Sequence, residues 1–429
     1  MPQPKPPHAP PLRRAWIAAL VFLACFALLA VPTSRGPYPA GALAWPAPSP
    51  VLEGDEYGHI EGAERFFRAF FLERDFGSAI WREPLQSYGL YEPRMTHYTL
   101  GSIFRLSCVL GDAPPSCTPR PWAGRLDVAP SCSAAQVQTM KLMVALLAAA
   151  AVTLIFLFSW AEVGLPGALV VALLLAINPF TRGVATSLVR EIPVLVYSAA
   201  ALLALRSLER RLSRGIPWPA LLGFAVFAAL TVSCGLYGFP VYMVLLAILA
   251  LRLRQAPARC VLVLVVVGAV GALVFFGHNP LLWSDPVGGL RTLTTGHLDY
   301  DNAGDKVLEP RLLSYLFSYP FLLLRWARLG LMNSLPPLQG WSWAVVGVGW
   351  ALCAWSLWGA RRLPSRIPLL WLVASFLWIG FIVVSRPQFR LSAKLFVLPA
   401  VPVVWLVGLR IGLALRALMA RWRGAQNGM

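Results

Sequence analysis

Apolar stretches about as long as a bilayer is thick recur from residue 15 to residue 413, and nothing else in the sequence restricts its architecture so strongly. Bilayer hydrocarbon is about 30 Å thick, so a helical crossing takes roughly 20 mostly apolar residues. Ten such segments are predicted, near 15–31, 139–158, 165–178, 191–206, 217–233, 236–251, 260–277, 341–359, 366–384 and 395–413. A large soluble protein with buried helices would need polar helix faces, and these segments lack them. Composition agrees, with 58% of the 429 residues hydrophobic and 13% charged, against about one quarter charged in an ordinary soluble domain. The expected fold class is an all-α polytopic membrane protein of about ten transmembrane helices, with two long outer loops carrying amphipathic helices.

The formal charge of +18 does not point to nucleic acid. Its arginines fall in short tracts between apolar segments: Arg206, Arg210, Arg211 and Arg214; Arg252, Arg254 and Arg259; Arg361, Arg362 and Arg366; Arg410, Arg416, Arg421 and Arg423. With ten crossings and both termini cytoplasmic, every tract lies inside, as the positive-inside rule requires. Residues 1–14 are Pro-rich and expected to be a disordered cytoplasmic N-terminus. Arg13-Arg14 then leads into a first span with no evident cleavage site. Residues 15–413 form a single transmembrane domain, and 414–429 a basic cytoplasmic tail.

This threading leaves outer segments at 32–138 and 278–340. Glu61 to Leu72 and His97 to Leu110 read as amphipathic helices lying on the membrane. Leu312 to Met332 is long enough to span, but Arg325 and Arg328 in its middle and the parity of the threading favour an interfacial helix. Cys25, Cys234, Cys260 and Cys353 fall in or beside spans and read as packing residues. Cys108, Cys117 and Cys132 share the first outer segment. In an oxidising compartment a Cys117–Cys132 bond would contribute about 3 kcal/mol; three separate thiols is the competing expectation.

Soon after the first span comes Gly54-Asp55-Glu56-Tyr57-Gly58-His59. Adjacent carboxylates repel, which raises one pKa unless a cation sits nearby. In a helix starting here, Asp55 and His59 would share a face. A capped helix with a solvated acidic turn explains the same residues, and both readings stand at this point.

A first span followed directly by an outer Asp-Glu resembles the GT-C superfamily of membrane glycosyltransferases, particularly relatives of the protein O-mannosyltransferases and aminoarabinose transferases. Further segments are similar in order: Tyr91-Glu92-Pro93-Arg94-Met95-Thr96-His97-Tyr98 before a jaw-like helix; Asn178-Pro179-Phe180 through Arg190-Glu191 in a short outer loop with an acidic residue; His278-Asn279-Pro280 through Asp285-Pro286; and Phe389-Arg390-Leu391 through Leu398-Pro399-Ala400-Val401-Pro402. The resemblance implies that Asp55, with Glu56, supplies the catalytic base or a metal ligand. It also implies a polyprenyl-phosphate-linked sugar donor and inversion at the anomeric carbon. Leu391-Ser392 stands where the family has an aromatic residue, and ten spans is fewer than several relatives have.

Arg386, Arg390 and Lys394 are spaced by four at the outer end of a span, against the positive-inside trend. Such charges either snorkel to headgroups or meet an anion, and a lipid phosphate suits guanidinium groups. Arg190, with Arg182, is a secondary phosphate contact. His59, His97, His278 and His297 also lie in outer segments. The site candidates are therefore Asp55 and Glu56 as catalytic groups, Arg390, Lys394, Arg386 and Arg190 for the donor phosphate, and His59, Glu191, His97, His278 and Asp285 around them. Asp299, Asp301 and Asp305 read as a solvated loop. Ligand spacing disfavours zinc; a divalent Mg or Mn ion is left open. The expected function is transfer of a sugar from a polyprenyl-phosphate donor to a protein, lipid or glycan acceptor on the non-cytoplasmic face. The alternatives are a secondary transporter, which would need polar groups at span centres, and a noncatalytic membrane scaffold. The Arg-rich, Lys-poor composition points to a bacterial inner membrane.

Overall fold

The computed structural model describes residues 11–34, 55–77, 81, 94–110, 134–178, 191–291, 354–358, 365–385 and 397–426, with a few isolated positions between them. Among the described residues every regular element is helical: α1 (Pro11–Ser34), α2 (Asp55–Phe67, continued by a π-helical turn Arg68–Glu73), α3 (Met95–Leu110), α4 (Ala134–Ile177), α5 (Glu191–Arg211), α6 (Trp218–Cys234), α7 (Pro240–Arg252), α8 (Pro257–Gly277), α9 (Ile367–Ser385) and α10 (Val397–Gln426). Nine of the ten predicted spans coincide with these helices; 341–359 lies mostly outside the described residues. Five helical segments are long and apolar enough to cross a bilayer, and α6, α7 and α9 are shorter apolar helices. The described part of the chain is all-helical, with the long apolar helices of a membrane protein.

α4 runs through two predicted spans because it is two limbs joined at a break. Gly164 has φ 81° and ψ 175°, a conformation essentially reserved for glycine. Pro166 follows, where it lacks an N–H to continue the ladder. The second limb meets α10 through glycine. A Cβ on Gly412 would fall 2.5 Å from the Gly167 Cα, and one on Gly408 would fall 2.7 Å from Val171 Cγ2. Gly408 and Gly412 form a G-x-x-x-G pair, the small-residue stripe that lets membrane helices approach to backbone contact. Beside it, Trp405 Nε1 donates to Ser159 Oγ at 2.8 Å, and the Trp405 ring meets Phe158 edge-on at 4.7 Å.

α1, α5 and α10 pack on α4, α6 packs on α5 and α8, and α9 packs on α7 and α10. One end of the bundle carries the arginine tracts. There the buried Glu162 accepts from Arg206 Nε and from Arg210 Nη2, the latter at 2.7 Å. Arg14 lies over the Trp160 ring, and Glu209 accepts from Ser365 Oγ at 2.9 Å. At the opposite end lie α2, α3 and the termini of α4, α5, α6 and α8. α2 and α3 are packed as a pair: a Cβ on Gly101 would sit 2.5 Å from Phe67 Cβ and 2.7 Å from the Ala63 carbonyl oxygen. Ile60, Ala63, Leu100 and Phe104 join the main core, so the two helices cap the bundle rather than lying apart from it. Leu106, Val109 and Leu110 stay exposed on α3.

Cys25, Cys234 and Cys260 are buried, as expected of packing residues. Cys353, the Cys117–Cys132 pairing, Leu312 to Met332, His297 and Asp299 to Asp305 lie outside the described residues. So do Arg182, Arg190, Arg386, Arg390 and Lys394, and the side chains of Asp55 and Glu56.

Candidate active site

The end of the bundle opposite the arginines gathers polar residues from four separate elements. α2 begins at Asp55, so Asp55 and Glu56 are its first two residues. One turn on, His59 is buried and its ring lies 6.3 Å from that of His97 on α3. This approach needs Gly62, where a Cβ would fall 2.5 Å from His97 Cδ2. Phe66, one further turn along the same stripe, packs edge-on against His97 at 5.3 Å and stacks on Trp81 at 5.4 Å.

Arg94 immediately precedes α3 and is only 1% exposed. Its guanidinium lies 3.8 Å from the centre of the Phe66 ring, and its backbone N–H donates to Asn279 Oδ1 at 3.2 Å. A desolvated cation–π contact of this kind contributes about 2 kcal/mol. Asn279 Nδ2 donates in turn to the Phe275 carbonyl at 2.6 Å, fixing the end of α8 against α3. Tyr98 O–H donates to the His278 carbonyl at 2.8 Å, and burial pushes the Tyr98 pKa up, so the phenol stays a neutral donor. Thr96 Oγ1 donates to the Cys234 carbonyl at the end of α6, at 2.8 Å. Thr99 and Tyr197 hydroxyls meet at 3.2 Å, tying α3 to α5.

Glu191 opens α5 at the same end. It is buried, and its Oε2 has no hydrogen-bond partner among the described residues. The helix N-terminus favours its negative charge. Glu64, on α2, faces Arg105 of α3 at 3.9 Å. Burial raises the Glu64 pKa, while Arg105 and Arg68 partly offset it.

His278 caps α8, with Nδ1 on the Val274 carbonyl. Burial lowers its pKa to about 4, against which the Val274 contact acts weakly. The folded protein therefore holds fewer protons here than the unfolded chain between the ordinary histidine pKa of about 6.5 and the lowered value. Stability from this group is complete above that window and is lost as pH falls through it. Thermal unfolding in detergent should accordingly show a fall in Tm from pH 7 to pH 4 that is smaller in His278→Gln; equal slopes in the two proteins would count against the assignment.

Of the sequence-predicted residues, the structure brings His59 and His97 together and places His278 and Glu191 on helix ends packed against α3. Asp285 does something else: it is exposed, and its Oδ1 accepts from the Gly288 N–H at 2.8 Å, the work of a helix N-cap. Arg94, Asn279 and Glu64 were not among the predicted site residues. Arg94 lies in the Tyr91–Tyr98 motif, but nothing local marks an arginine buried against Phe66 of another helix and tied by its backbone to Asn279, 185 residues away. Among the described residues no three His, Cys, Asp or Glu side chains converge as a metal site.

No family model matches this chain, and no curated protein sequence matches it. Its fold is similar to solved structures of an archaeal oligosaccharyltransferase. Against AglB from Archaeoglobus fulgidus, in complex with an inhibitory peptide and a dolichol-phosphate, the TM-score is 0.54 at 14% identity, covering 97% of this chain and 52% of that one. Against the Archaeoglobus fulgidus oligosaccharyltransferase in its apo form it is 0.55 at 15% identity, covering 96% and 52%. Against that enzyme in complex with Zn and sulfate it is 0.50 at 15% identity, covering 93% and 51%. The chain thus spans about half the length of the structures it resembles, and the likeness is one of fold.

Proposed function

We propose that this protein is a GT-C-type glycosyltransferase that moves a sugar from a polyprenyl-phosphate-linked donor to an acceptor at the end of the bundle where α2 and α3 sit. The observation that supports the reading, on a fold shared with an oligosaccharyltransferase, is the packing of His97 and Arg94 against His59 and Phe66 of the helix that opens with Asp55-Glu56, with the buried Glu191 heading α5 at the same end of the bundle. The arginine tracts at the opposite end support a cytoplasmic placement for that end and hence a non-cytoplasmic site. The composition supports a bacterial inner membrane as the setting.

In this reading Asp55 takes the proton from the acceptor hydroxyl as its oxygen attacks the anomeric carbon. The bond from that carbon to the lipid phosphate breaks, and the phosphate leaves with the electron pair, its charge met by Arg390 and Lys394 with Arg386 and Arg190 in support. Attack opposite the leaving group inverts the anomeric carbon. Glu56 flanks the base, and His59 and His97 stand one turn behind it. An oligosaccharyltransferase neighbour holding a peptide and dolichol-phosphate supports a lipid-linked donor and makes a peptide the first acceptor to try.

The test is turnover of lipid-phosphate sugars by purified protein in proteoliposomes, with water, peptide and glycan acceptors. Donor-dependent sugar transfer by the wild type is expected. Arg390→Ala should weaken donor binding by at least tenfold, since a charge-assisted contact to phosphate contributes about 1.5–3 kcal/mol. Donor binding unchanged in Arg390→Ala would remove the phosphate assignment. Solute accumulation in vesicles without a glycosyl product would replace the reading with a transporter.

A further inference from the structure

We propose that the groove between α5 and α6 holds an anionic glycerophospholipid, its headgroup on Arg211 and an acyl chain running along the helices. This inference stands apart from the catalytic reading and concerns the other end of the bundle.

The groove is an open-sided cavity of about 660 Å³, walled by Leu154 of α4, Tyr197, Ala200 and Ala204 of α5, and Gly223 and Phe227 of α6. Its walls are apolar because small residues replace bulky ones where two membrane helices would otherwise close on each other. Gly223 is the narrowest case, a Cβ there meeting only the Ala204 Cβ at 3.8 Å. From Tyr197 to Arg211 the α5 wall is about 21 Å long at ~1.5 Å per residue. That length exceeds the hydrocarbon depth of one leaflet, about 15 Å.

Charge selects the occupant. Arg211 lines the groove at the arginine-rich end, is exposed, and has no ion-pair partner among the described residues. The acidic groups nearby are already engaged: Glu162 holds Arg206 and Arg210, and Glu209 accepts from Ser365. Arg259 is turned onto the Leu212 carbonyl at 3.0 Å and the Ser213 carbonyl. Arg211 is thus an arginine that lines the groove with no acidic partner among the described residues, and exposed Arg214 lies three residues on. A basic pocket between membrane helices at headgroup depth is the arrangement that binds anionic lipid headgroups.

The experiment is native mass spectrometry and lipid quantification of the full-length protein after reconstitution with equal phosphatidylglycerol and phosphatidylcholine. Wild type should retain phosphatidylglycerol about fivefold over phosphatidylcholine, the ratio that about 1 kcal/mol per arginine gives. Arg211→Gln, an exposed and conservative change, should bring the ratio towards one. Gly223→Leu should lower retention of both lipids by filling the groove. Equal retention of the two lipids by the wild type would overturn the proposal, as would an unchanged preference in Arg211→Gln. In a second reconstitution that adds undecaprenyl phosphate in equal amount, its Arg211-dependent retention in preference to phosphatidylglycerol would overturn the proposal too.

Discussion

Asp55→Asn should remove glycosyl transfer while leaving the folded protein intact. A positioned general base contributes typically 10²–10⁴-fold, so a loss of at least ~100-fold in kcat is expected. The substitution keeps the size of the side chain, and Asn serves a helix start as well as Asp does. Expression, monodispersity and Tm should therefore match the wild type. The partner measurement is donor binding: with the phosphate held by Arg390 and Lys394, Asp55→Asn should bind the lipid donor about as well as the wild type. Retained transfer would leave α2 as a capped structural helix and return the acidic turn to a solvated role. Lost transfer together with lost donor binding would move Asp55 from proton acceptor to donor recognition.

Glu162→Ala should cause the largest loss of stability of any single change at the arginine end. The Glu162 side chain is 2% exposed and that of Arg206 11%. Both sit beside the break in α4, where Arg206 also lies 5.4 Å over the Phe158 ring. Removing the carboxylate leaves a buried guanidinium whose Nη2 already lacks a hydrogen-bond partner among the described residues. Stranding one member of a buried pair costs about 3–5 kcal/mol, whereas replacing both with apolar residues is often neutral. The check is thermal unfolding in detergent of Glu162→Ala against the double variant Glu162→Leu/Arg206→Met. A clear Tm drop in the single variant that the double variant largely restores is expected. An unaffected Tm in Glu162→Ala would show that Arg210 and solvent screen the site more than its burial suggests.

The helices were legible in the sequence because bilayer crossing is a demand on length and polarity together, and few stretches meet it by accident. The break in α4 was legible for a different reason: Gly164-Leu165-Pro166-Gly167 contains three residues that a continuous helix tolerates poorly. The Gly408/Gly412 stripe is also written plainly, but its partner is not. A small-residue face shows that some helix comes close and is silent on which one, and only the structure identifies Gly167. The same asymmetry governs the candidate site. Asp55 and His59 could be paired from sequence because they share one helix. His97 could be named but not placed, since its contact with His59 and Gly62 depends on how α3 crosses α2. Arg94 could not be placed from the sequence because its contacts with Phe66 and Asn279 depend on how α2, α3 and the end of α8 meet. For Asp285 an N-cap and a site carboxylate look alike in one dimension, and only the structure shows the bond to the Gly288 N–H.

The glycine crossing between α4 and α10 also bears on the order in which the protein is assembled. Gly167 and Gly412 are far apart along the chain, and synthesis delivers the first long before the second. Until α10 enters the membrane, the second limb of α4 presents a face of small residues shaped for a partner not yet made. The intermediate therefore carries an unfilled backbone-deep seam through most of its biogenesis, open to lipid or to a foreign helix with a similar stripe. Assembly of this bundle is consequently non-local, and closure of the seam by α10 is the step at which a membrane chaperone or a misplaced neighbour would have most effect.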